Sequence, residues 1–584
     1  MLQRLRARGS AGRLVPLLVL VAIAGCRRAA PQPADLLLVN GSVYTLAWGD
    51  PAPDGTPAAD APHTASGWHP EAQAIAVRGG TIVFVGTSDG ATSYRAAGTR
   101  VIDLHGATVV PGLIESHVHI EELGHSLARV DLRGLDTEAA IVEKVRAAAA
   151  TRPAGTWIEG YGWDDGAWAA HLPTGERLSK AVPDHPVYLR GLHGFSVWGN
   201  RLALARAGID RDTKAPSDGT IVKNAAGEPT GILTNRAVAL LESAVPSPTA
   251  TDRQELILAG LRAVAGAGYV SVEEAGADAG MMAAFETLDR QGRLLLRVYA
   301  MLAARDTGLM RDWLTRGPQR DVARRLVVPA VKVFYDGALG SRGALLLADY
   351  SDRPGWKGVK DATFDEEQLA RAMRAGFQLS VHAIGDAANR RTLDFFEGVF
   401  RAHPELRANR HRIEHAQLLA AADIPRFASL GILASMQPPH AIEDKGWAQD
   451  RVGPERIRGA YAWRSLRLAG ARLAFNSDLP GTDYDFFYGF HSAITRQDRR
   501  GEPQGGWFPD QRMTPEEALR GYTCWGAYAQ FSETLTGTLQ AGKWADITVL
   551  SLDPLNVGER NPPGLFGGKV LYTIAGGRVV FERR

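Results

Sequence analysis

Thr108-Val-Val-Pro-Gly-Leu-Ile-Glu-Ser-His-Val-His119 is an apolar run that stops at two histidines. It reads as one buried β-strand over 108–116 with a polar C-terminal end. Residues i and i+2 of a strand face the same side. His117 and His119 therefore aim two imidazoles into one space, which is what a metal ion needs. A His-x-His pair alone is equally at home as two unrelated loop residues, so the surrounding pattern has to decide.

Seven further strand-like runs follow, at 268–274, 295–301, 329–335, 377–382, 411–415, 431–436 and 472–477, alternating with helical segments. Such alternation argues for parallel β/α units. Eight units predict an α/β fold, a distorted TIM-like (β/α)8 barrel with its active site at the C-terminal ends of the strands. The gap from about 120 to 265 reads as a large insertion after the first strand. The two chain ends share a different style. Asp35–Tyr44 reads as strand, turn at Asn40-Gly41 and strand; 74–86 repeats that hairpin style. Trp544–Ser551 and Val570–Phe581 are strands around a Gly-Gly turn. Segments 35–107 and 535–584 are expected to form one small composite β-sandwich around a barrel spanning 108–534. The Pro/Ala/Gly-rich stretch from Trp48 to Pro70 reads as a surface loop.

The chain has 584 residues, 45% hydrophobic and 22% charged, with a formal charge of +2. This is ordinary globular composition, without a nucleic-acid footprint. Arg4, Arg6, Arg8 and Arg13 precede an apolar run over Leu14–Gly25 that is too short to span a bilayer and fits a secretory signal. It ends in Ile23-Ala-Gly-Cys26, which resembles the lipobox of bacterial lipoproteins. That resemblance implies lipidation at Cys26, a tether over 26–34 and anchoring in the cell envelope at the periplasmic face. Arg27, rather than Asp, implies the outer membrane. An ordinary signal peptide is the other reading. The second cysteine, Cys524, has no partner, which excludes a disulfide framework and cysteine-ligated zinc; it reads as a buried, inert thiol.

The strand ends carry the chemistry. Lys332 lies inside the fourth run, His382 ends the fifth, His415 ends the sixth and Asp478 follows the eighth. Singly, such residues have plain uses: a hydrogen-bonded histidine, a snorkelling lysine, a helix-capping aspartate. On five strands of one barrel they converge on one cavity, and imidazole with carboxylate suits zinc and related divalent ions.

Together with the words PGLIESHVH (111–119), GYGWDD (160–165), VKVFYDGALGSR (331–342), VHAIGDAANR (381–390), RIEHAQLL (412–419), SMQPPHA (435–441), NSDLP (476–480) and GTLQAGKWADITVL (537–550), this pattern resembles the amidohydrolase superfamily. The similarity is to its family 3 branch, which includes N-substituted formamide deformylase. The resemblance implies one or two divalent metals, zinc foremost. His117, His119 and Asp478 would bind the more buried metal and His382 and His415 a second, bridged by a carboxylated Lys332. A single-metal site of His117, His119, His382 and Asp478 is the other arrangement. It also implies a metal-activated hydroxide attacking the carbonyl of a small amide-type substrate, with Asp478 as catalytic acid/base and a non-peptide C–N bond cleaved. The alternatives are hydrolysis of a cyclic amide, imide or lactone, and a metal-containing lipoprotein that binds a ligand without turnover. Trp163, Asp164, His193, Gln437, His440 and Phe487 are the candidate substrate walls. The chain departs from its relatives in three places. Glu115 stands for the usual aspartate. Phe195 stands where a histidine is common, with His193 two residues earlier. Glu273-Glu274 stands where His-Asp is frequent; the pair either supports the ligand residues or is plain pocket charge, and the plainer reading is preferred.

Overall fold

The computed structural model describes residues 31–135, 137–163, 173–191, 196–217, 219–321 and 323–584. Cys26, Asp164, His193 and Phe195 lie outside them. Eight parallel strands form the central sheet: β1 (Leu113–Val118), β2 (Tyr269–Ala277), β3 (Arg297–Ala303), β4 (Leu326–Phe334), β5 (Gln378–Ala383), β6 (Arg412–His415), β7 (Leu433–Met436) and β8 (Leu473–Phe475). They follow one another in chain order across the sheet. The rim closes where Val118 pairs with Leu479 and the His119 N–H donates to the Leu479 carbonyl at 2.9 Å. The strands are almost wholly buried, as parallel strands covered by helices must be. This is the TIM-like barrel that the alternating pattern predicts.

The run expected as one strand over 108–116 divides. Thr108–Pro111 leaves the barrel and pairs with Ser42–Val43 and Ile547–Leu550; β1 starts only at Leu113. Pro111 offers no amide hydrogen to a continuing ladder, and the Gly112 N–H turns to the Asp546 carbonyl at 2.9 Å.

The chain ends form two facing sheets, one of four strands (Thr81–Gly86, Ala74–Arg78, Leu36–Val39, Arg100–Asp103) and one of five (Ser42–Val43, Thr108–Pro111, Ile547–Leu550, Val570–Ala575, Arg578–Glu582). Leu36, Leu38, Ile75 and Val77 of the first share a core with Val109, Ile547, Val549 and Ile574 of the second. This is the composite sandwich. The segment around Asn40-Gly41 is not a hairpin, however: its two strands belong to different sheets, and the chain crosses between them there, with Asn40 at φ +56°. True hairpins close at Gly79-Gly80 and Gly576-Gly577, all with positive φ, as tight hairpin turns demand. The two turns also touch. A Cβ on Gly80 would lie 2.9 Å from the Gly576 carbonyl, and one on Gly577 2.8 Å from the Gly80 Cα.

The stretch expected as a surface loop is pinned down by its aromatics. Trp48 and Trp68 are buried in the barrel's core cluster, and the Trp48 indole donates to Glu516 at 2.6 Å. Large rings gain most by leaving water. Cys524 lies in the helix Cys524–Ala529, its thiol donating to the Gly537 carbonyl and pushed up by burial.

Two helices bracket the insertion: α1 (Ile120–Ala128) directly after β1, and α2 (Ala250–Gly266) directly before β2. A Thr249–Asp252 capping box starts α2, satisfying two otherwise free amides. The insertion proper therefore runs from 129 to 249. It carries a six-stranded sheet in the order Val130–Asp131, Ile158–Trp163, Val187–Gly191, Ser196–Gly199, Pro229–Asn235, Gly219–Lys223, with apolar clusters of its own. Among the described residues no helix is long and apolar enough to cross a membrane.

Candidate active site

At the C-terminal rim of the barrel four imidazoles, a carboxylate and an amine meet. His117, in β1, and His119, one residue past its end and still extended (φ −123°), face inward together because they are two apart. His415 should point outward, being next to the inward-facing Glu414. Left-handed backbone at His415 (φ +73°) and Ala416 (φ +43°) re-aims it. Asp478, just beyond β8, is turned the same way at φ +56°. Left-handed backbone on residues with a side chain is uncommon and collects at functional sites.

The groups crowd one point. Asp478 Oδ1 is 3.3 Å from Nε2 of both His117 and His119. Lys332 Nζ is 3.1 Å from His117 Nε2. The rings of His117 and His415 are 5.3 Å apart and those of His382 and His415 4.4 Å. His117, His415 and Asp478 each offer a ligand atom, all within 4.8 Å of one another.

Burial determines the protonation of this cluster. It pushes His117 down to about 4, helped by the Lys332 charge, His415 to about 3 and His382 well below its ordinary value. Burial also lowers Lys332. Burial opposes charge on Asp478 too, but the surrounding imidazoles, His117 first, outweigh it and hold the carboxyl well below the usual range. His119 is the exception: the Asp478 hydrogen bond and charge overcome burial and raise it. The result is three neutral imidazoles, His117, His382 and His415, beside an ionised carboxylate, the state in which both donate electron pairs to a cation.

Neighbouring groups fix which imidazole nitrogen is free. His117 Nδ1 bonds Glu414 Oε2 at 2.6 Å, leaving Nε2 toward Lys332 and Asp478. His415 Nδ1 bonds Gln437 Oε1 at 3.0 Å, and the Gln437 amide N–H donates on to Asn476 at 2.8 Å. Among the described residues His382 Nε2 is buried without a hydrogen-bond partner, the nearest carboxylate oxygen, Asp336 Oδ1, standing 3.8 Å away, a costly state unless something else takes its lone pair. That orphan, with the donor set around it, fits a divalent ion.

The wall candidates separate. Gln437 is buried as the holder of His415. His440 faces the site: its Nε2 lies 3.8 Å from Asp478 Oδ2 and its ring stacks on His415. Trp163 is fully buried in the insertion's own core, its indole N–H donating to the Leu189 carbonyl at 3.0 Å. Phe487 is likewise core. The space next to the site, about 200 Å³, is walled instead by the ends of β1 to β4: His119, Ala303, Ala304, Arg305, Lys332 and Phe334 among others.

Four charged residues stand around these groups: Glu414 and Arg412 escaped the sequence reading, while Glu273 and Glu274 were singled out there and read as plain pocket charge. Glu414 holds His117. Arg412 bonds Glu414 and Glu273. Glu274 accepts the Ile120 N–H at 2.8 Å and lies 3.9 Å from His119. Glu273 and Glu274 can both turn toward the centre because the register of β2 against β1 slips between Val272 and Glu274. The available signal was Arg412-x-Glu414 immediately before His415: alternate charges on a strand whose inward face is a filled barrel interior.

Comparison with known proteins agrees with this geometry. The model of the amidohydrolase family matches residues 100–581. Protein LONG AFTER FAR-RED 3 of Arabidopsis thaliana is 31% identical over 94% of this chain and 92% of its own length. N-substituted formamide deformylase of Arthrobacter pascens is 28% identical over 94% and 99%. Among solved structures, an uncharacterized metal-dependent hydrolase from Pyrococcus furiosus superposes with a TM-score of 0.71 at 28% identity, covering 89% of this chain and 99% of that one. The barrel, its flanking sheets and the cluster of histidines and aspartate at the strand ends thus agree with the family match, and the chain belongs to the amidohydrolase family, in its family 3 branch.

Proposed function

We propose that this protein is a divalent-metal hydrolase that cleaves the C–N bond of a small N-formyl or N-acyl amine. The observation that carries the reading is the convergence of His117, His119, His382, His415 and Asp478, with His382 Nε2 buried and without a hydrogen bond among the described residues. These residues would hold the metal, zinc being the best match for imidazole and carboxylate. When bound, such an ion supplies Lewis acidity toward a carbonyl oxygen and lowers the pKa of water toward 7.

The chain's own groups do the rest. Asp478 is ionised, with Oδ1 engaged by two imidazoles and Oδ2 turned toward His440. Oδ2 is thus free to take a proton from water and return it to the leaving amine. Burial shifts the Lys332 amine toward its neutral form, in which it can add to CO2 with loss of a proton; the carbamate then gives anionic oxygens where an ammonium gives none. The space of about 200 Å³ beside Lys332, with Ala275, Ala303 and Val333 among charged groups on its wall, has room for a compact acyl group such as formyl. The name of the deformylase relative supports the same bond class.

Purified protein should contain one or two divalent ions per chain by elemental analysis. It should hydrolyse members of an N-formyl and N-acyl amine panel and lose turnover in a chelator. Metal-free protein with undiminished turnover would end the reading. We further propose lipidation at Cys26 and anchoring at the cell envelope. Radiolabelled fatty acid should be incorporated by the wild-type chain and not by Cys26→Ala.

A further inference from the structure

Beneath the rim lies a layer of charge that the proposed reaction does not consume. Glu273, Arg412 and Glu414 are all fully buried. Arg412 uses Nη1 on Glu273, Nε on Glu414 and Nη2 on the Ser116 carbonyl, the last at 2.5 Å. The second oxygen of Glu414 takes His117 Nδ1 at 2.6 Å. The order is Glu273, Arg412, Glu414, His117, drawn from β2, β6 and β1. It forms an ionic crossbar through the barrel interior, pinned also to the backbone of β1.

Stability does not account for it. Buried ion pairs recover their desolvation cost only with excellent geometry, and well-packed apolar side chains often serve as well or better. Orientation does account for it. His415 is held by a neutral amide, Gln437, and His119 lies 3.9 Å from Glu274, whereas His117 has a short bond to a carboxylate that is itself fixed by a guanidinium. Arg412 occupies Oε1 of Glu414, which sets the carboxylate so that Oε2 meets the imidazole.

We propose that Glu414 and Arg412 are positioning residues for the metal site. They hold His117 in one ring orientation with Nδ1 protonated and Nε2 presented, so that Arg412 governs metal retention without bonding to any of the candidate ligands. The proposal rests on the metal reading above. Partners of this kind around a ligating histidine commonly carry 10- to 100-fold in metal affinity.

The test uses the full chain, stripped and reloaded with zinc or cobalt(II). Affinity is read by competition with a chromophoric chelator, ligand geometry by the visible spectrum of the cobalt form, and folding by thermal melting of the metal-free protein. Glu414→Gln keeps volume and an acceptor oxygen but loses the charge. It should weaken retention by about 10-fold or more and alter the cobalt spectrum. Arg412→Met combined with Glu273→Gln removes one charge of each sign and should act in the same direction. A purely structural crossbar would change melting alone. Folded variants with wild-type affinity and spectrum would overturn the proposal, and so would failure of both to fold. If the wild type itself takes up no divalent ion, the metal reading fails instead, which the same titration reveals.

Discussion

Asp478 carries two burdens, a left-handed backbone and the central carboxylate. Asparagine tolerates that backbone nearly as well as aspartate but cannot take up a proton. We expect Asp478→Asn to fold and to lose 10²- to 10⁴-fold in kcat, measured on whichever amide the panel identifies. Glu115 makes a different prediction. It is fully buried, and one oxygen accepts the Ser477 N–H at 2.6 Å, bracing the approach to Asp478. Burial raises its carboxyl from 4.5 to about 8. The folded state therefore keeps a proton that the unfolded chain releases, and this contribution to stability is full below pH 4.5 and lost as pH rises through 8. Glu115→Gln removes that dependence. Melting of the metal-free forms should show the variant gaining on wild type between pH 5 and 8, by at most about 1.4 kcal/mol per pH unit, then levelling off. At this scale the convergence of the histidines and Asp478 was legible, because the strand ends of one barrel face one cavity. Their supports were not. Arg412 and Glu414 look like an ordinary charged face until the strand is known to face a packed interior.

At the level of elements, the 3.6- and 2-residue periods were enough to count eight strands, but a continuous apolar run says nothing about which sheet it joins. Thr108–Pro111 and β1 are equally apolar, and only pairing to Ile547–Leu550 separates them. The helices bracketing the insertion show a second kind of hidden information. α1 and α2 pack so closely that a Cβ on Gly124 would lie 1.9 Å from the Leu256 carbonyl and one on Gly260 2.4 Å from the Ile120 carbonyl. Both neighbours are backbone and cannot swing away. Gly124→Ala should force the helices apart and cost about 1–3 kcal/mol, read by denaturant unfolding, although alanine is the better helix former. Glycine inside a helix reads in sequence as a weakness; here it is a contact.

Across the whole molecule, the sandwich is a structural partner of the barrel rather than an appendage. Thr548 Oγ1 donates to the Gly268 carbonyl at 2.6 Å and Thr573 Oγ1 to the Ala265 carbonyl at 2.7 Å, while Arg297 of β3 pairs with Asp546 at 3.1 Å and stacks on Trp544. Truncation before residue 535 would strip three of five strands from one sheet and leave Thr108–Pro111 as a bare apolar edge, directly ahead of β1 and its histidines. We expect that chain to aggregate and to lack a cooperative melt, checked by soluble yield and calorimetry. The insertion stands in the opposite relation to the barrel. α1 leads the chain out and α2 brings it back at one crossing, glycine against backbone on either side. Residues 129–249 thus leave and rejoin the barrel at a single place, with no barrel strand threaded in between. Recombination between relatives can exchange such a module whole, so that a lineage varies its outer architecture while inheriting the chemistry at the rim unchanged.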